Sequence, residues 1–319
     1  MPINNVDKQT AKGLLTLKAR IKAAKIPPSS LDQSIILATW NVREFGKKRR
    51  LKPSLAYITE ILRQFDVIAL VELRDTLGDL AEVLHMLGEG WKVVYSSYLT
   101  DSGGNHERVA YIYDERAVKF TGLACWAEPP RFPKKKGTVN EYLPTATWWR
   151  NPYMASFRAG SFDFVLMGVH TRWSKDIKTR VKELQRLADW VEDRRQEPGF
   201  EDQDIILIGD FNIPSLKDAT YKAISSHGLS MPKALAGITG SNLEQNKRYD
   251  QILHYPAVTK SFTGRGGVVD FYAGDHKRLF PSRQMTRDAF TYQLSDHLPL
   301  WIEVDTDTEE EQLDGIIQA

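Results

Sequence analysis

A short apolar stretch followed at once by polar side chains constrains this fold more than any other feature of the sequence. Ile205 to Ile208 form a continuous apolar run, typical of a strand buried on both faces, and Gly209 ends it. Asp210 and Asn212 follow two positions apart, so on an extended chain they point to the same side. A simple turn would account for both residues, because Asp and Asn favour turns. The alternative is a rigid set of oxygen and N–H groups for a divalent cation or a phosphoester.

Other predicted strands also end in polar side chains. Ser34 to Val42 and Asp66 to Leu73 are apolar runs that contain Asn41 and Glu72 near their ends. A glutamate inside an apolar run is costly if it is buried alone, which favours a cation near Glu72; pairing with Arg74 or solvation is the alternative. The full set at strand ends or edges is Asn41, Glu72, His170, Asp210, Asn212, Asp250, Asp296 and His297.

Strand ends at one sheet edge converge in space even when they are distant in sequence. Carboxylate and amide oxygens together with two histidines suit magnesium-assisted attack of water on a phosphodiester. Zinc suits the set less well, because the sequence has no Cys/His spacing typical of a zinc site. A lone histidine at a strand end is more often structural, so His170 by itself indicates little.

Amphipathic helices are predicted between the strands. Apolar residues recur at helical spacing over 53–65, 75–87, 174–195 and 216–227. Strands are predicted over 91–98, 108–113, 154–157, 162–169 and 249–255, whereas 118–151 has no readable pattern. Alternating strands and helices are typical of an α/β chain.

Composition excludes several classes of protein. The net charge of +2 and the pI near 8.4 do not by themselves indicate a nucleic-acid binder. Cys125 is the one cysteine, so no intramolecular disulfide is possible. No apolar run approaches ~18 residues, and we expect no membrane span. The single cysteine and the absence of a secretory pattern at the N-terminus favour a cytoplasmic location, or a secreted one if a leader has been removed. We expect a monomer.

Three regions are predicted along the chain. Residues 1–33 form a basic N-terminal extension, residues 34–304 a single catalytic domain, and residues 305–319 an acidic, mobile C-terminal tail. Within the extension, Lys8 to Lys25 is compatible with a helix. That helix would either pack on the domain with a solvated outer face, or lie on a phosphate backbone or membrane surface.

The order of seven short motifs resembles the endonuclease/exonuclease/phosphatase superfamily. The motifs are WNVREFG, ALVELRD, NHERVAYIYD, GVHTRW, GDFNIP, YDQIL and SDHLP. Within the superfamily the sequence is most similar to the deoxyribonuclease I branch, from about Ser34 to Val304. The resemblance implies a four-layer α/β sandwich, in which two mixed β-sheets lie face to face and helices flank them.

The resemblance also implies roles for individual residues. Glu72 would be the main magnesium ligand, with Asn41 and Asp296 close to the metal. Asp210 and Asn212 would hold the phosphate or the attacking water. Asp250 would orient His297 as the base and Glu107 would orient His170 as the acid, although Asp210 is an alternative base. Arg74 would enter the minor groove of DNA, whereas Arg43 and Arg150 would touch phosphates.

The function that these roles imply is magnesium-dependent hydrolysis of double-stranded DNA with little sequence preference, leaving 5′-phosphate and 3′-hydroxyl ends. Manganese is a possible substitute for magnesium. Structural Ca²⁺ is in doubt, because the calcium-binding loops of the secreted deoxyribonucleases are not recognisable here. A phosphatase or phosphodiesterase acting on inositol or lipid head groups is the alternative within the superfamily. A degenerate partner-binding protein is disfavoured, because every catalytic position carries the expected residue type.

Overall fold

The computed structural model describes residues 6–98, 106–145, 148–200 and 202–310, together with 313 and 317. Its strands are β1 (Ser34–Phe45), β2 (Val67–Leu73), β3 (Trp91–Tyr95), β4 (Arg108–Asp114), β5 (Lys119–Trp126), β6 (Arg131–Lys136), β7 (Val139–Pro144), β8 (Tyr153–Ala159), β9 (Phe162–His170), β10 (Ile205–Asp210), β11 (Asp250–Leu253), β12 (Phe262–Val268) and β13 (Leu300–Asp305). Its helices are α1 (Lys8–Ala23), α2 (Lys52–Leu62), α3 (Gly78–Leu87), α4 (Ile177–Arg195), α5 (Ala219–Ile224) and α6 (Arg287–Gln293), with a short 3-10 helix at Lys233–Leu235.

Two mixed sheets form the centre of the described structure. One contains six strands in the order β12-β13-β1-β2-β4-β3, and the other contains five in the order β11-β10-β9-β8-β5. The pairs β1/β2 and β9/β10 are parallel, and every other pairing in the two sheets is antiparallel. Each parallel pair is joined through a helix, α2 or α4, as a parallel connection requires.

Strand β1 is covered by an apolar core on each face of its sheet. Ile35 and Leu37 point into a core between the two sheets, which they share with Leu166 of β9 and Ile206 of β10. Their neighbours in β1, among them Ile36, belong to a second core on the other face. Successive side chains of a strand alternate between faces, so a strand covered on both sides is apolar throughout.

Helices cover the two outer faces. The second core contains residues of α1, α2, α3 and α6 packed on the six-stranded sheet, including Leu17, Ile58 and Phe290. A third core places α4 and α5 on the five-stranded sheet, through residues such as Leu187 and Ile224. The predicted four-layer α/β sandwich is therefore confirmed.

Several local predictions need correction. Residues 118–151, which have no readable pattern in the sequence, contain strand β5 and the hairpin β6–β7, and the unassigned segment after residue 255 contains all of strand β12. The hairpin strands are exposed throughout, so they lack the apolar alternation by which a strand is recognised in a sequence. Strand β12 has the sequence FTGRGGV, and its glycines oppose a strand prediction. Helix α5 is shorter than the expected 216–227.

The two ends of the chain pack on the domain where they are described. Helix α1 contacts α2, and its Leu17 and Ile21 are buried. At the other end, β13 extends to Asp305, and Thr306 donates its backbone N–H to the Gln33 carbonyl. The rest of the predicted acidic tail beyond residue 310 lies outside the described residues, apart from 313 and 317. No helix of the described part of the chain is both long and apolar enough to span a membrane.

Candidate active site

The parallel strands of both sheets bring the predicted site residues to one edge. Asn41 lies beside Val71 where β1 pairs with β2, and Asp210 lies directly opposite His170 where β10 pairs with β9. All four strands reach this edge with their carboxyl ends, which is the usual place for a site in an α/β sheet. The Asn41 amide joins the two sheets, because its Nδ2 donates to Asp210 Oδ2 at 3.1 Å.

The conformation of Gly209 positions the carboxylate of Asp210 at the end of β10. Its φ is +138°, and a Cβ added there would lie 2.0 Å from the Val169 carbonyl oxygen on the adjacent strand. No other residue type fits such an approach between two backbones without moving one of them. The glycine that ends the apolar run in the sequence therefore serves to place Asp210.

Asn41 also connects two carboxylates. Its Nδ2 donates to Glu72 Oε1 at 2.9 Å as well as to Asp210, and its own Oδ1 is buried without a partner among the described residues. Two carboxylates that share one amide, beside an unpaired carbonyl oxygen, are a hard-oxygen environment of the kind that divalent cations prefer.

The backbone around this cluster is strained. Glu44, Glu72 and Asn212 all have positive φ angles, of 48°, 63° and 52°. The Glu44 N–H donates to Glu72 Oε2 at 2.8 Å, and the Asn212 N–H donates to Asp210 Oδ1 at 2.8 Å. Left-handed conformations of such residues cost on the order of 1–3 kcal/mol each and cluster at functional sites. Both hydrogen bonds hold a carboxylate, so the strain serves to fix the acids of the site.

His170 forms the first of two carboxylate–histidine pairs. Its Nδ1 lies 2.7 Å from Glu107 Oε2. Arg150 fixes Glu107 from the other side, with Nη2 donating to Oε1 at 2.9 Å and Nε lying 2.8 Å from Oε2. The imidazole is thus oriented by a carboxylate that is itself held by a two-point guanidinium contact.

His297 forms the second pair. Its Nδ1 lies 2.7 Å from Asp250 Oδ2, and that same oxygen accepts a hydrogen bond from the Ser241 hydroxyl at 2.6 Å. In both pairs the carboxylate contacts Nδ1 of the ring, so the Nε2 atom on the other side of the ring is available for a different contact. The Nε2 atoms of His170 and His297 each lie 3.8 Å from Asp210 Oδ2, so the two imidazoles converge on one carboxylate oxygen.

The surrounding carboxylates change the proton affinity of both histidines. Burial is the largest single influence on His170 and lowers its pKa, but the charge and hydrogen bond of Glu107 together with the charge of Asp210 outweigh it, and the pKa is raised. For His297 burial again opposes the proton, yet Asp250 and Asp210 raise its pKa well above 6.5. Both imidazoles therefore hold a proton more readily than a free histidine, and perturbed pKa values of this kind cluster at functional sites.

A metal ion fits this edge of the sheets. Asp210, Asp250 and His297 each offer a ligand atom, these atoms lie within 4.8 Å of one another, and the three residues could hold a metal ion. The Asp250 Oδ1 atom is buried without a partner among the described residues, as is Asn41 Oδ1. Glu72 and Asp296, which the resemblance assigns to the metal, lie outside this group, but Asn41 joins Glu72 to it.

The remaining predicted site residues lie at the margins. Arg43 contacts α6, where Nη1 lies 3.0 Å from Asp288 Oδ1. Arg74 is only 7% exposed, and its Nη1 faces Glu107 Oε1 at 3.6 Å. To enter a groove of DNA, this guanidinium would have to leave Glu107.

The last two of these residues are Asp296 and Asn212. Asp296 follows Ser295, whose hydroxyl donates to the Asn41 carbonyl at 2.6 Å. Asn212 donates its Nδ2 to the Thr171 carbonyl at 2.8 Å, so its amide nitrogen is already engaged.

Some residues of the site were not predicted from the sequence. Glu44 holds Glu72 through its backbone, Ser241 supports Asp250, and the Tyr249 ring lies 5.8 Å from the His297 ring between centroids. Tyr249 stands next to Asp250 in the YDQIL motif, which is a signal that could have indicated it. Ser241 lies in a loop without a motif, and only the fold brings it to Asp250.

Comparison with known proteins gives a family match. The model of the Endonuclease/Exonuclease/phosphatase family matches residues 38–297. Deoxyribonuclease gamma of Rattus norvegicus is 27% identical over 186 residues, which cover 56% of this chain and 56% of that protein. Deoxyribonuclease-1 of Bos taurus is 26% identical over 188 residues, which cover 57% and 62%. The alignments thus span less than two thirds of these relatives, and they confirm the resemblance to the deoxyribonuclease I branch.

Solved structures share the fold at low identity. An endonuclease/exonuclease/phosphatase family protein from Bacteroides thetaiotaomicron superposes with a TM-score of 0.55 and 19% identity, covering 86% of this chain and 99% of that one. A mannosyl-6-phosphatase from the same species superposes with a TM-score of 0.53 and 19% identity, covering 86% and 98%. At these identities the likeness concerns the fold alone.

Proposed function

Because the chain belongs to the Endonuclease/Exonuclease/phosphatase family, we propose that it is a magnesium-dependent endonuclease that hydrolyses DNA with little sequence preference. The observation that carries the proposal is the pair of carboxylate-oriented imidazoles, whose Nε2 atoms each lie 3.8 Å from Asp210 Oδ2. Hydrolysis of a phosphodiester needs one proton removed from water and one delivered to the leaving oxygen. Two histidines whose Nε2 atoms converge on one carboxylate oxygen are suited to these two proton transfers.

In this proposal His297 is the base and His170 is the acid. In the neutral form of its ring, His297 takes a proton from the attacking water on Nε2, and the oxygen of that water forms the new bond to phosphorus. The bond from phosphorus to O3′ breaks, and His170 Nε2 gives its proton to that oxygen. Asp250 and Glu107 keep each ring in place through Nδ1. The products are a 5′-phosphate and a 3′-hydroxyl.

Glu72, with Asn41 and Asp296, would hold the magnesium ion, and Mn²⁺ would substitute for it. The ion would supply positive charge for the phosphoryl oxygens as negative charge develops on them. Asp210 and Asn212 would position the water or the phosphate. Arg43 and Arg150 would face the DNA backbone, and Arg74 would reach the minor groove by leaving Glu107.

DNA is favoured over small head groups by the relatives, because the curated proteins reported above are deoxyribonucleases. The rival substrates are inositol and lipid phosphates. The test incubates the protein with supercoiled plasmid, inositol phosphates and phosphoinositide vesicles in Mg²⁺, Mn²⁺ or excess chelator. We expect nicked plasmid in either metal, none in chelator, and nicks that DNA ligase seals without end repair. Release of phosphate from inositol substrates while the plasmid stays intact would overturn the proposal.

A further inference from the structure

A small cavity lies beside the proposed reaction centre and is not used by the chemistry described above. Its volume is about 290 Å³, near the lower end of the roughly 300–1,000 Å³ typical of ligand pockets. Its wall combines aromatic and basic side chains, chiefly Trp148, Trp149, Arg172, Arg180 and Lys182. One carboxylate, Glu183, is also present, and it accepts the Trp149 backbone N–H at 3.0 Å. The lining is therefore aromatic with an excess of positive charge.

Buried donors in the wall lack partners. Arg180 is 7% exposed and Trp148 is 8% exposed. The Arg180 Nε and the Trp148 Nε1 atoms are both buried, and neither has a hydrogen-bond partner among the described residues. Buried N–H groups are normally paired, so each unpaired donor needs an explanation. Both residues line the cavity, so an acceptor group bound there is the partner that a shift of either side chain would bring within reach.

Two arginine–tryptophan stacks lie in and beside the cavity, since Trp149, Arg172 and Arg180 line it and Trp173 precedes the lining residue Ser174. The Arg172 guanidinium carbon lies 3.7 Å from the Trp149 ring centroid, and that of Arg180 lies 4.7 Å from the Trp173 ring centroid. Trp173 nevertheless remains 54% exposed. A large indole that contacts a buried arginine and still remains more than half exposed is a stacking platform for a planar group.

Aromatic contacts connect this platform to the reaction centre. The Trp173 and Tyr249 ring centroids are 5.9 Å apart, and those of Tyr249 and His297 are 5.8 Å apart. Arg180 also donates to the Asn212 carbonyl. A planar group on Trp173 would thus lie two ring contacts from the imidazole that we assign as base. That separation suits a base attached to the same strand as the phosphate under attack.

We propose that Trp173 and the adjacent cavity bind an unpaired nucleotide of the substrate strand, next to the phosphate that is cleaved. The base stacks on Trp173, and its acceptors or the flanking phosphate meet Arg172 and the unpaired donors of the wall. A base inside a duplex cannot reach such a platform without leaving its stack. Single-stranded or locally opened strands are therefore the preferred substrates. This inference rests on the proposed function, because it assumes that the neighbouring site cleaves a nucleic-acid strand.

The first test measures binding without cleavage. Fluorescence anisotropy of a labelled oligothymidylate in excess chelator gives the affinity of the wild type, Trp173→Ala, Trp173→Phe and the control Tyr95→Ala, which removes another exposed aromatic residue. We expect Trp173→Ala to weaken binding about 10- to 100-fold, Trp173→Phe to restore most of it, and Tyr95→Ala to have no effect. Unchanged affinity of Trp173→Ala would overturn the inference.

A second arm tests whether the base is what Trp173 binds. An abasic oligomer of equal length and charge should bind the wild type weakly, and Trp173→Ala should not weaken it further. Equal losses on the abasic and the base-bearing strand would show that Trp173 acts on the backbone or on folding, and would refute stacking. An oligouridylate of the same length tests whether the same site binds RNA. If it does, Trp173→Ala should weaken the binding of this RNA as much as it weakens the binding of the DNA strand.

A third arm separates this inference from the proposed function. In Mg²⁺, Trp173→Ala should lose more activity on single-stranded than on duplex DNA. Plasmid nicking by the wild type together with unchanged strand binding by Trp173→Ala would leave the nuclease proposal standing and refute the nucleotide site. Binding that depends on Trp173 in a protein that cleaves no nucleic acid would refute the nuclease proposal, and with it the position beside a cleaved phosphate, while nucleotide binding at Trp173 would stand.

Discussion

The Nδ1 atom of His297 lies 2.7 Å from Oδ2 of Asp250, although 47 positions separate the two residues in the chain. The Asp250 carboxylate is buried and also accepts the Ser241 hydroxyl. His297 stands in a loop before β13, whereas Asp250 begins β11 of the other sheet. The pair therefore exists only because the two sheets face each other.

Asp250→Asn should lower the turnover rate by about 10²–10⁴-fold, because the amide cannot hold the protonated imidazole as a carboxylate does. The matched control is Asp189→Asn, since Asp189 also lies 2.8 Å from a histidine, His227, but on the surface. The measurement is the rate of plasmid nicking at saturating Mg²⁺. Equal nicking rates for Asp250→Asn and the control would show that the Asp250 carboxylate has no part in catalysis.

Glu72→Gln should lower the rate by at least ~10²-fold, because removing one charged ligand weakens the hold on the cation that stabilises the developing charge. Calorimetric titration with Mn²⁺ should show a weaker site in this variant. Glu82→Gln, which alters a surface pair with Arg49, serves as control. Full activity of the wild type in excess chelator would contradict the requirement for a metal.

Arg150→Ala should weaken cleavage of all DNA sequences uniformly and reduce the salt slope of binding by roughly one unit, because one phosphate contact is lost. It should also lower turnover, since Arg150 holds Glu107 against His170. Arg116→Ala removes another arginine–carboxylate pair, with Asp114, and should change neither quantity. An unchanged salt slope for Arg150→Ala would mean that this arginine only positions Glu107.

Gly209→Ala should destabilise the protein more than Gly199→Ala, although both glycines have a positive φ. Strain from that conformation costs about 1–3 kcal/mol. Gly209 carries the additional clash with the Val169 carbonyl oxygen, whereas nothing lies within 4 Å of a Cβ at Gly199. Urea unfolding monitored by circular dichroism measures the free energy of unfolding of each variant. Equal losses would show that the approach of β10 to β9 tolerates a side chain.

His254 should make folding stability fall in acid. Burial lowers its pKa below the ordinary 6.5, and the hydrogen bond to the Thr259 carbonyl only partly opposes this. The unfolded chain therefore binds a proton more readily than the folded one. The stability contribution is complete above pH ~6.5 and is lost as the pH falls towards the lowered pKa.

Urea midpoints of the wild type and His254→Phe between pH 5 and 8 test this expectation. The Phe variant should show a weaker dependence in that window, and it keeps a ring beside Phe262. Replacing the exposed His85 by Gln should leave the dependence of the wild type in place. A steeper fall in the Phe variant would contradict the assigned sign.

The sequence by itself determined the strands that carry the site. Buried runs such as Ile205 to Ile208 are apolar on every position because both sheet faces are covered, and this signal depends only on local order. Polar residues at the ends of those runs, including Asn41, Glu72 and Asp210, were predictable for the same reason. The exposed hairpin β6–β7 and the glycine-rich β12 were not, since neither contributes a regular apolar pattern.

Only the tertiary structure decided which of these residues meet. Packing of the two sheets sets the distances from Asp210 to Asn41 and to His297, the pairing of β9 with β10 sets the distance from Asp210 to His170, and the loop before β11 brings Ser241 to Asp250. The tertiary structure also turns the Arg74 side chain inward towards Glu107 and places Trp173 beside Tyr249. The side chains of a strand alternate between the two faces of a sheet, and this alternation can be predicted from the sequence because it depends only on neighbouring residues. Contacts across 31 to 257 positions, such as those of Asn41 with Glu72 and Trp40 with His297, depend on which strands pair within a sheet, and local sequence does not specify that pairing.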